Sequence, residues 1–151
     1  MDGRLDSPLG PMLFQEKDGA VTVLRFAAAG ESEALTPAKG ALAQRTAEWL
    51  ARYFAGENPL PDLPLAPVGT AFQYRVWRET CAIPYGETLS YGELARRVGC
   101  GSARAVGAAL GKNPVWLLIP CHRVVGSNGA LTGYAGGLRC KAALLDLEKN
   151  K

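Results

Sequence analysis

Apolar residues near the start of the chain fall in two runs, Gly10 to Phe14 and Ala20 to Phe26, with Glu16-Lys17-Asp18-Gly19 between them. Two strand-like runs around a Gly-closed turn predict a β-hairpin, so residues 1–30 read as mostly β. The period then changes. Leu42, Thr46, Trp49, Leu50 and Tyr53 recur at helical spacing until Gly56, and Thr36-Pro37 offers a cap and a first-turn proline. A helix running from there and packing on the hairpin is expected. Between Asn58 and Pro67 stand Pro59, Pro61, Pro64 and Pro67, a composition that excludes regular structure and marks a linker or extended crossover. The lobe boundary is placed there, giving an N-terminal β/α lobe with linker at 1–66 and a second domain at 67–151.

The second half has a different texture. Thr70 can cap a helix that presents Phe72, Val76 and Trp77 on one face and ends near Ile83-Pro84. Ser90-Tyr91-Gly92-Glu93 is a capping-box pattern opening a short helix with Leu94 and Val98 inward. Gly99-Cys100-Gly101 breaks it, and Ser102 can cap another helix from Ala103 to Leu110, stopped by Gly111. Helix, glycine turn, helix is the layout of a helix-turn-helix, and equally of an ordinary helical hairpin. Ala103, Ala105, Gly107, Ala108 and Ala109 leave Arg104 as the only long polar side chain of the second helix. A major-groove reader needs several hydrogen-bonding side chains. A slim helix can enter the narrower minor groove and hold phosphates without choosing sequence, or simply pack closely on a neighbour. Farther on, Val115-Trp116-Leu117-Leu118-Ile119 predicts a buried strand leading into Pro120-Cys121-His122-Arg123-Val124. Gly126-Ser127-Asn128-Gly129 follows as a turn, and a helix starts at about Leu138.

Composition narrows the class. A chain of 151 residues suits one domain or two small lobes sharing a core, and buries roughly 70% of its unfolded surface. The net charge of +3 is too mild to predict nucleic-acid binding by itself. Cysteines at 81, 100, 121 and 140 form no C-x-x-C pair, and with one histidine there is no ligand set for zinc, so reduced thiols and no metal are expected. The first residues lack a basic segment followed by an apolar one, and no apolar stretch approaches about 18 residues, which speaks against export and membrane insertion.

The pair Cys121-His122 carries the chemistry, because it sets a potential thiolate beside the only histidine. An ordinary cysteine has a pKa near 8.5, so reaction at neutral pH needs a base or a positive neighbour. Consecutive side chains diverge, so a water relay or a sharp local turn is expected between the two. The base also needs an orienting partner, and Asp146 and Glu148 are the nearest acidic candidates in that lobe. Read alone, Cys121 could equally be a small buried hydrophobe.

Taken together, Ile119-Pro120-Cys121-His122-Arg123-Val124, Ser90-Tyr91, Ala103-Arg104-Ala105-Val106-Gly107, Asn113-Pro114, Gly133-Tyr134-Ala135-Gly136-Gly137 and Glu148 resemble, in order and spacing, the O6-alkylguanine-DNA alkyltransferases, also called methylated-DNA-protein-cysteine methyltransferases. The resemblance covers about residues 70–148, with a looser match at Ser7-Pro8-Leu9-Gly10. It implies an α+β fold: a small N-terminal ribonuclease-H-like lobe and a C-terminal winged-helix-like lobe with a helix-turn-helix. It also implies irreversible, single-use transfer of an alkyl group from O6-alkylguanine in DNA to Cys121, with O4-alkylthymine as a second substrate.

By matching position, His122 would activate Cys121 through a bridging water, Glu148 would orient His122, and Asn113 would tie the recognition helix to the active-site strand. Tyr134, the Ala135 amide, the Cys121 and Val124 carbonyls, Lys141 and Trp116 would contact or shape the site of the flipped base. Tyr91, Ser102, Ala103, Arg104 and Arg123 would meet DNA, with Arg104 filling the vacated base position and Tyr91 pushing the 3′ phosphate. The implied partner is double-stranded DNA bound through its minor groove by a cytoplasmic monomer, nucleoid-associated when on DNA, with no cofactor and no obligate protein partner. Trp116 departs from many relatives by its bulk and is expected to narrow the alkyl pocket. The competing expectation is a helix-turn-helix module that binds lesions without chemistry, and Cys121 stands against it.

Overall fold

A computed structural model describes residues 2–134 and 136–149, and divides the chain into two compact units, Met1–Val68 and Gly69–Lys151. In the first unit three antiparallel strands lie in the order β1 (Asp2–Leu5), β2 (Met12–Lys17), β3 (Ala20–Phe26). Asp18 and Gly19 close the β2–β3 hairpin, both with positive φ (53° and 79°), the backbone of a two-residue turn that matches strand twist. Met12, Phe14, Val21 and Leu24 are buried.

The helix α1 begins later than its sequence pattern predicts, at Ala41 and not at Pro37, and runs to Phe54. Gly40 at φ 105° precedes it, and the Thr36-Pro37 segment is used as extended chain beside β1. Arg4 N–H donates to the Thr36 carbonyl (2.8 Å) and Ala38 N–H to the Arg4 carbonyl (3.0 Å). α1 buries Leu42, Ala43, Thr46, Trp49, Leu50 and Tyr53, the residues whose spacing predicts it. The proline-rich stretch holds no helix or long strand, yet it is tied down. Trp49 Nε1 donates to the Leu60 carbonyl (3.1 Å), and Leu65 forms a parallel bridge to Val21.

The second unit opens with α2 (Ala71–Cys81), whose Thr70 and Gln73 form a reciprocal capping box. β4 (Leu89–Ser90) leads directly into α3 (Tyr91–Arg97), capped by the Ser90 hydroxyl accepting from Glu93 N–H. A short turn then leads to α4 (Ala103–Gly111), capped by Ser102 accepting from Ala105 N–H. α2, α3 and α4 pack on one another, and Trp77 Nε1 donates to the Ala109 carbonyl at 2.9 Å. β5 (Val124–Val125) pairs in parallel with β4, Leu89 opposite Val124 and Ser90 opposite Val125. That register sets the start of α3 beside the residues that follow Cys121-His122-Arg123. α5 (Leu138–Lys149) closes the unit and packs on the same turn.

The 115–119 segment is buried throughout but is not the expected strand. Leu117 has φ 71°, and the chain doubles back so that Ile119 N–H donates to the Val115 carbonyl (3.1 Å) and Trp116 bridges to Ile119. The hydrogen bonds a partner strand would supply come from a side chain: Asn113 Oδ1 accepts from Val115 N–H (2.9 Å) and its Nδ2 donates to the Ile119 carbonyl (3.0 Å). Buried backbone groups must find partners somewhere, and an amide at 113 lets this stretch turn instead of extend.

Candidate active site

Cys121, His122 and Arg123 occupy a single turn of 3-10 helix, entered through Pro120 and left by the extended Val124. This is the sharp local turn that adjacency predicts. Its tight winding lets neighbouring side chains leave in different directions, so one can line a cavity while the next points into the protein. Cys121 lines a cavity of about 570 Å³, together with Tyr91, Arg104, Gly107, Thr132, Gly133 and Tyr134. His122 is fully buried.

The imidazole Nε2 lies 2.6 Å from Glu148 Oε2, across 26 residues of sequence. Glu148 is therefore the acidic partner, while Asp146 sits on the exposed face of α5. A carboxylate accepts, so the Nε2 proton resides on the ring and Nδ1 carries the lone pair. Burial holds the imidazole below its ordinary pKa despite the pull of Glu148, which leaves it neutral and basic near pH 7. Burial pushes the Cys121 thiol up to about 11, opposed by a hydrogen bond from the Asn113 side chain and by the Lys141 charge. The resting pair is thus a neutral thiol and a neutral imidazole.

Lys141 is fully buried, and burial lowers its pKa while Cys121 raises it. Its ammonium donates to the Thr132 carbonyl (2.8 Å) and reaches the Gly133 carbonyl (3.4 Å) and the Tyr91 hydroxyl (3.5 Å). The Tyr91 hydroxyl in turn donates to the carbonyls of Thr132 (3.0 Å) and Gly133 (3.2 Å). One stretch of the cavity wall, Thr132-Gly133, is accordingly held from α3 and α5 together.

The Tyr134 ring rests on Trp116, with centroids 5.6 Å apart. A Cβ at Gly136 would stand 2.8 Å from Tyr134 Cε2 and 3.1 Å from Trp116 Cζ3, so this position requires a bare backbone. Trp116 is 7% exposed, its Nε1 donating to the Asn113 carbonyl (2.9 Å). It backs the cavity wall through Tyr134 and does not line the cavity itself.

Ser102, Ala103 and Arg104 are exposed at the first turn of α4, with Ala103 and Arg104 at the same cavity. Val124 is buried in β5, its N–H bonded to the Cys121 carbonyl. Ala135 lies outside the described residues. Arg123, expected at the DNA, is turned inward instead: Nε and Nη2 meet Glu148 at 2.8 and 3.2 Å, and Nη1 donates to the Ile83 carbonyl (2.8 Å). The loop after α2 also supplies Gly86 N–H to Glu148 (3.0 Å). No sequence motif marks Ile83, Gly86, Thr132 or Gly133 for these parts, because each acts through its backbone. Among the described residues no three His, Cys, Asp or Glu side chains gather as a metal site requires, and no helix is long and apolar enough to cross a membrane.

The family described as 6-O-methylguanine DNA methyltransferase, DNA binding domain, matches residues 71–150. A methylated-DNA-protein-cysteine methyltransferase of Mycobacterium bovis is 46% identical over 151 residues, covering 97% of this chain and 91% of that protein. The chain belongs to the methylated-DNA-protein-cysteine methyltransferases. A methyltransferase of the same name from Methanosarcina barkeri is 44% identical, with 97% and 95% covered. Among solved structures, Mycobacterium tuberculosis OGT in complex with DNA superposes with a TM-score of 0.89 at 46% identity, over 99% of this chain and 92% of that one. The methyltransferase family assignment agrees with the mixed helix-and-sheet fold and spans both units.

Proposed function

We propose that the protein reverses alkylation damage directly, taking the alkyl group from O6-alkylguanine in DNA onto Cys121 and being consumed in the act. The observation that carries this is a buried His122 bonded to Glu148 through Nε2, one residue from a cysteine that opens on a cavity roomy enough to admit a nucleobase. The Cys121 sulfur attacks the alkyl carbon, the carbon–O6 bond breaks, and its electron pair returns to the base. The thiol proton passes through water to His122, whose positive charge Glu148 balances; the departing guanine takes up a proton from water, and His122 returns its own to water, so the base ends neutral. A thioether offers water no route to hydrolysis, so each molecule acts once.

The units correspond in this reading to a ribonuclease-H-like lobe and a winged-helix-like lobe, divided near residues 66–67. α3 and α4 form a helix-turn-helix lying in the minor groove, where the small residues of α4 approach the backbone and Arg104 fills the space of the flipped base. Flipping costs a few kcal/mol and least for a badly paired base, which favours the lesion. Tyr91 meets the 3′ phosphate, Tyr134 the base, and Ala135 and Val124 supply backbone contacts to it. O4-alkylthymine is a second substrate, and the protein works as a cytoplasmic monomer without a cofactor.

The deciding experiment mixes the protein with a duplex carrying labelled O6-methylguanine. One label per protein, abolished in Cys121→Ala, is expected. Turnover beyond one equivalent contradicts the mechanism, and intact lesion with retained binding identifies a lesion-binding module instead.

A further inference from the structure

Arg123 follows the Cys-His pair in sequence, yet its guanidinium turns away from the cavity and grips the far side of Glu148. Nε meets Oε1 at 2.8 Å and Nη2 meets Oε2 at 3.2 Å. Nη1 is fixed on the Ile83 carbonyl at 2.8 Å, and the guanidinium carbon stands 5.6 Å from the centre of the Tyr85 ring. The same carboxylate receives Gly86 N–H and His122 Nε2. Glu148 therefore serves two partners of different kinds: a guanidinium fork that grips both its oxygens, and an imidazole ring that can gain or lose a proton.

We propose that Arg123 is a positioning residue for alkyl transfer, clamping both oxygens of Glu148 and offsetting its charge so that His122 stays neutral and ready to take the thiol proton. The inference rests on the reading of His122 as the base. Its physical ground is competition for one buried carboxylate. With Arg123 in place, Glu148 is already balanced and attracts a proton to the imidazole only weakly. Without it, a buried anion is left with His122 as the ionisable group bonded to it, and the imidazolium becomes the favoured state.

The other groups facing His122 do not replace Arg123. From α5 come Glu148 and Lys141, from its own turn Cys121 and Arg123, and only Arg123 and Lys141 push against protonation. From α2 and the loop after it come the Cys81 thiol and the Tyr85 phenol, both held above their ordinary pKa by burial and so uncharged near pH 7. The Lys141 ammonium is engaged with the Thr132 carbonyl. A bidentate fork on the carboxylate is Arg123's alone among these groups.

Single-turnover transfer from an O6-methylguanine duplex, followed from pH 5.5 to 9 in wild type, Arg123→Met and Arg123→Lys, tests this. The acid limb of the Arg123→Met profile is expected to move to higher pH by about one unit, giving a rate about fivefold lower at pH 6, short of tenfold because the wild-type imidazole already lies below its ordinary pKa, with a deficit that narrows above pH 8. Arg123→Lys keeps the charge but not the fork, and its limb is expected to move the same way by less, with a rate about threefold lower at pH 6. A deficit equal at all pH values, or a limb moving to lower pH, overturns the proposal. If Arg123→Met does not fold, an unmoved limb in Arg123→Lys overturns it alone. Failure of the wild type to accept label sinks the reading of the site, a result distinct from a wild type that transfers while its variants lose rate uniformly.

Discussion

Replacing Asn113 by alanine is the most direct test of why the active-site segment turns where it does. The side chain is 4% exposed and makes two hydrogen bonds to buried backbone, from Val115 N–H and to the Ile119 carbonyl, and it also favours the ionised form of the Cys121 thiol. Alanine leaves the Val115 N–H without a partner in a site that admits little water, and leaves the Ile119 carbonyl with the Cys121 N–H (2.8 Å) alone. At about 1–3 kcal/mol for the unsatisfied N–H and about 1 kcal/mol for the carbonyl's second bond, the expected loss is about 2–4 kcal/mol, or a melting temperature lower by about 5–15 °C for a chain of this size. Urea denaturation followed by tryptophan fluorescence suits the measurement, since Trp77 and Trp116 lie in the second unit. Alkyl transfer should fall more than stability requires, because the thiol also loses a donor that favours its ionised form. A loss below about 0.5 kcal/mol would refute the reasoning, showing that the 115–119 turn is held by its own backbone and packing.

Other predictions follow from the same geometry. Arg104→Ala should slow transfer from duplex DNA while sparing reaction with a free O6-alkylguanine base; equal loss on both substrates removes Arg104 from any flipping role. In the free protein, alkylation of Cys121 by iodoacetamide should keep rising about tenfold per pH unit to pH 10, because burial pushes the thiol up to about 11; a plateau near pH 8.5 contradicts it. The same shift means that the folded state holds this proton more tightly than the unfolded one. Its contribution to stability is full below about pH 9 and is lost as pH climbs toward 11, so Cys121→Ser should flatten the fall of the urea midpoint over that range. Trp116→Ala should destabilise by about 3–5 kcal/mol through the void left behind Tyr134 and narrow the preference for methyl over benzyl adducts; an unchanged rate ratio denies Trp116 any part in pocket size.

Local signals in the sequence translated well where the cause is local. Asp18-Gly19 dictates a hairpin turn because both residues tolerate positive φ, and Thr70, Ser90 and Ser102 cap helices because each hydroxyl meets an N–H three residues on. The start of α1 was not legible, since Thr36-Pro37 is recruited by Arg4, more than thirty positions away in the chain. Hydropathy reports that 115–119 is buried but not that an asparagine side chain replaces a neighbouring strand. The inward turn of Arg123 depends on Glu148, 25 residues on. The choice between Asp146 and Glu148 was within reach, because Lys141, Leu144 and Glu148 share one helical face and all are buried, whereas Asp146 falls on the opposite side.

The raised thiol of Cys121 bears on how such a protein survives until it is needed. With burial pushing its pKa up to about 11, the sulfur holds a thiolate at neutral pH in far fewer molecules than an ordinary cysteine would. Peroxides, disulfides and soluble alkylating agents therefore meet an inert sulfur on a residue only 7% exposed, beside a fully buried base. A reagent that can be discharged only once gains shelf life from that reluctance, because the group that makes it reactive is called upon after the right base has filled the cavity.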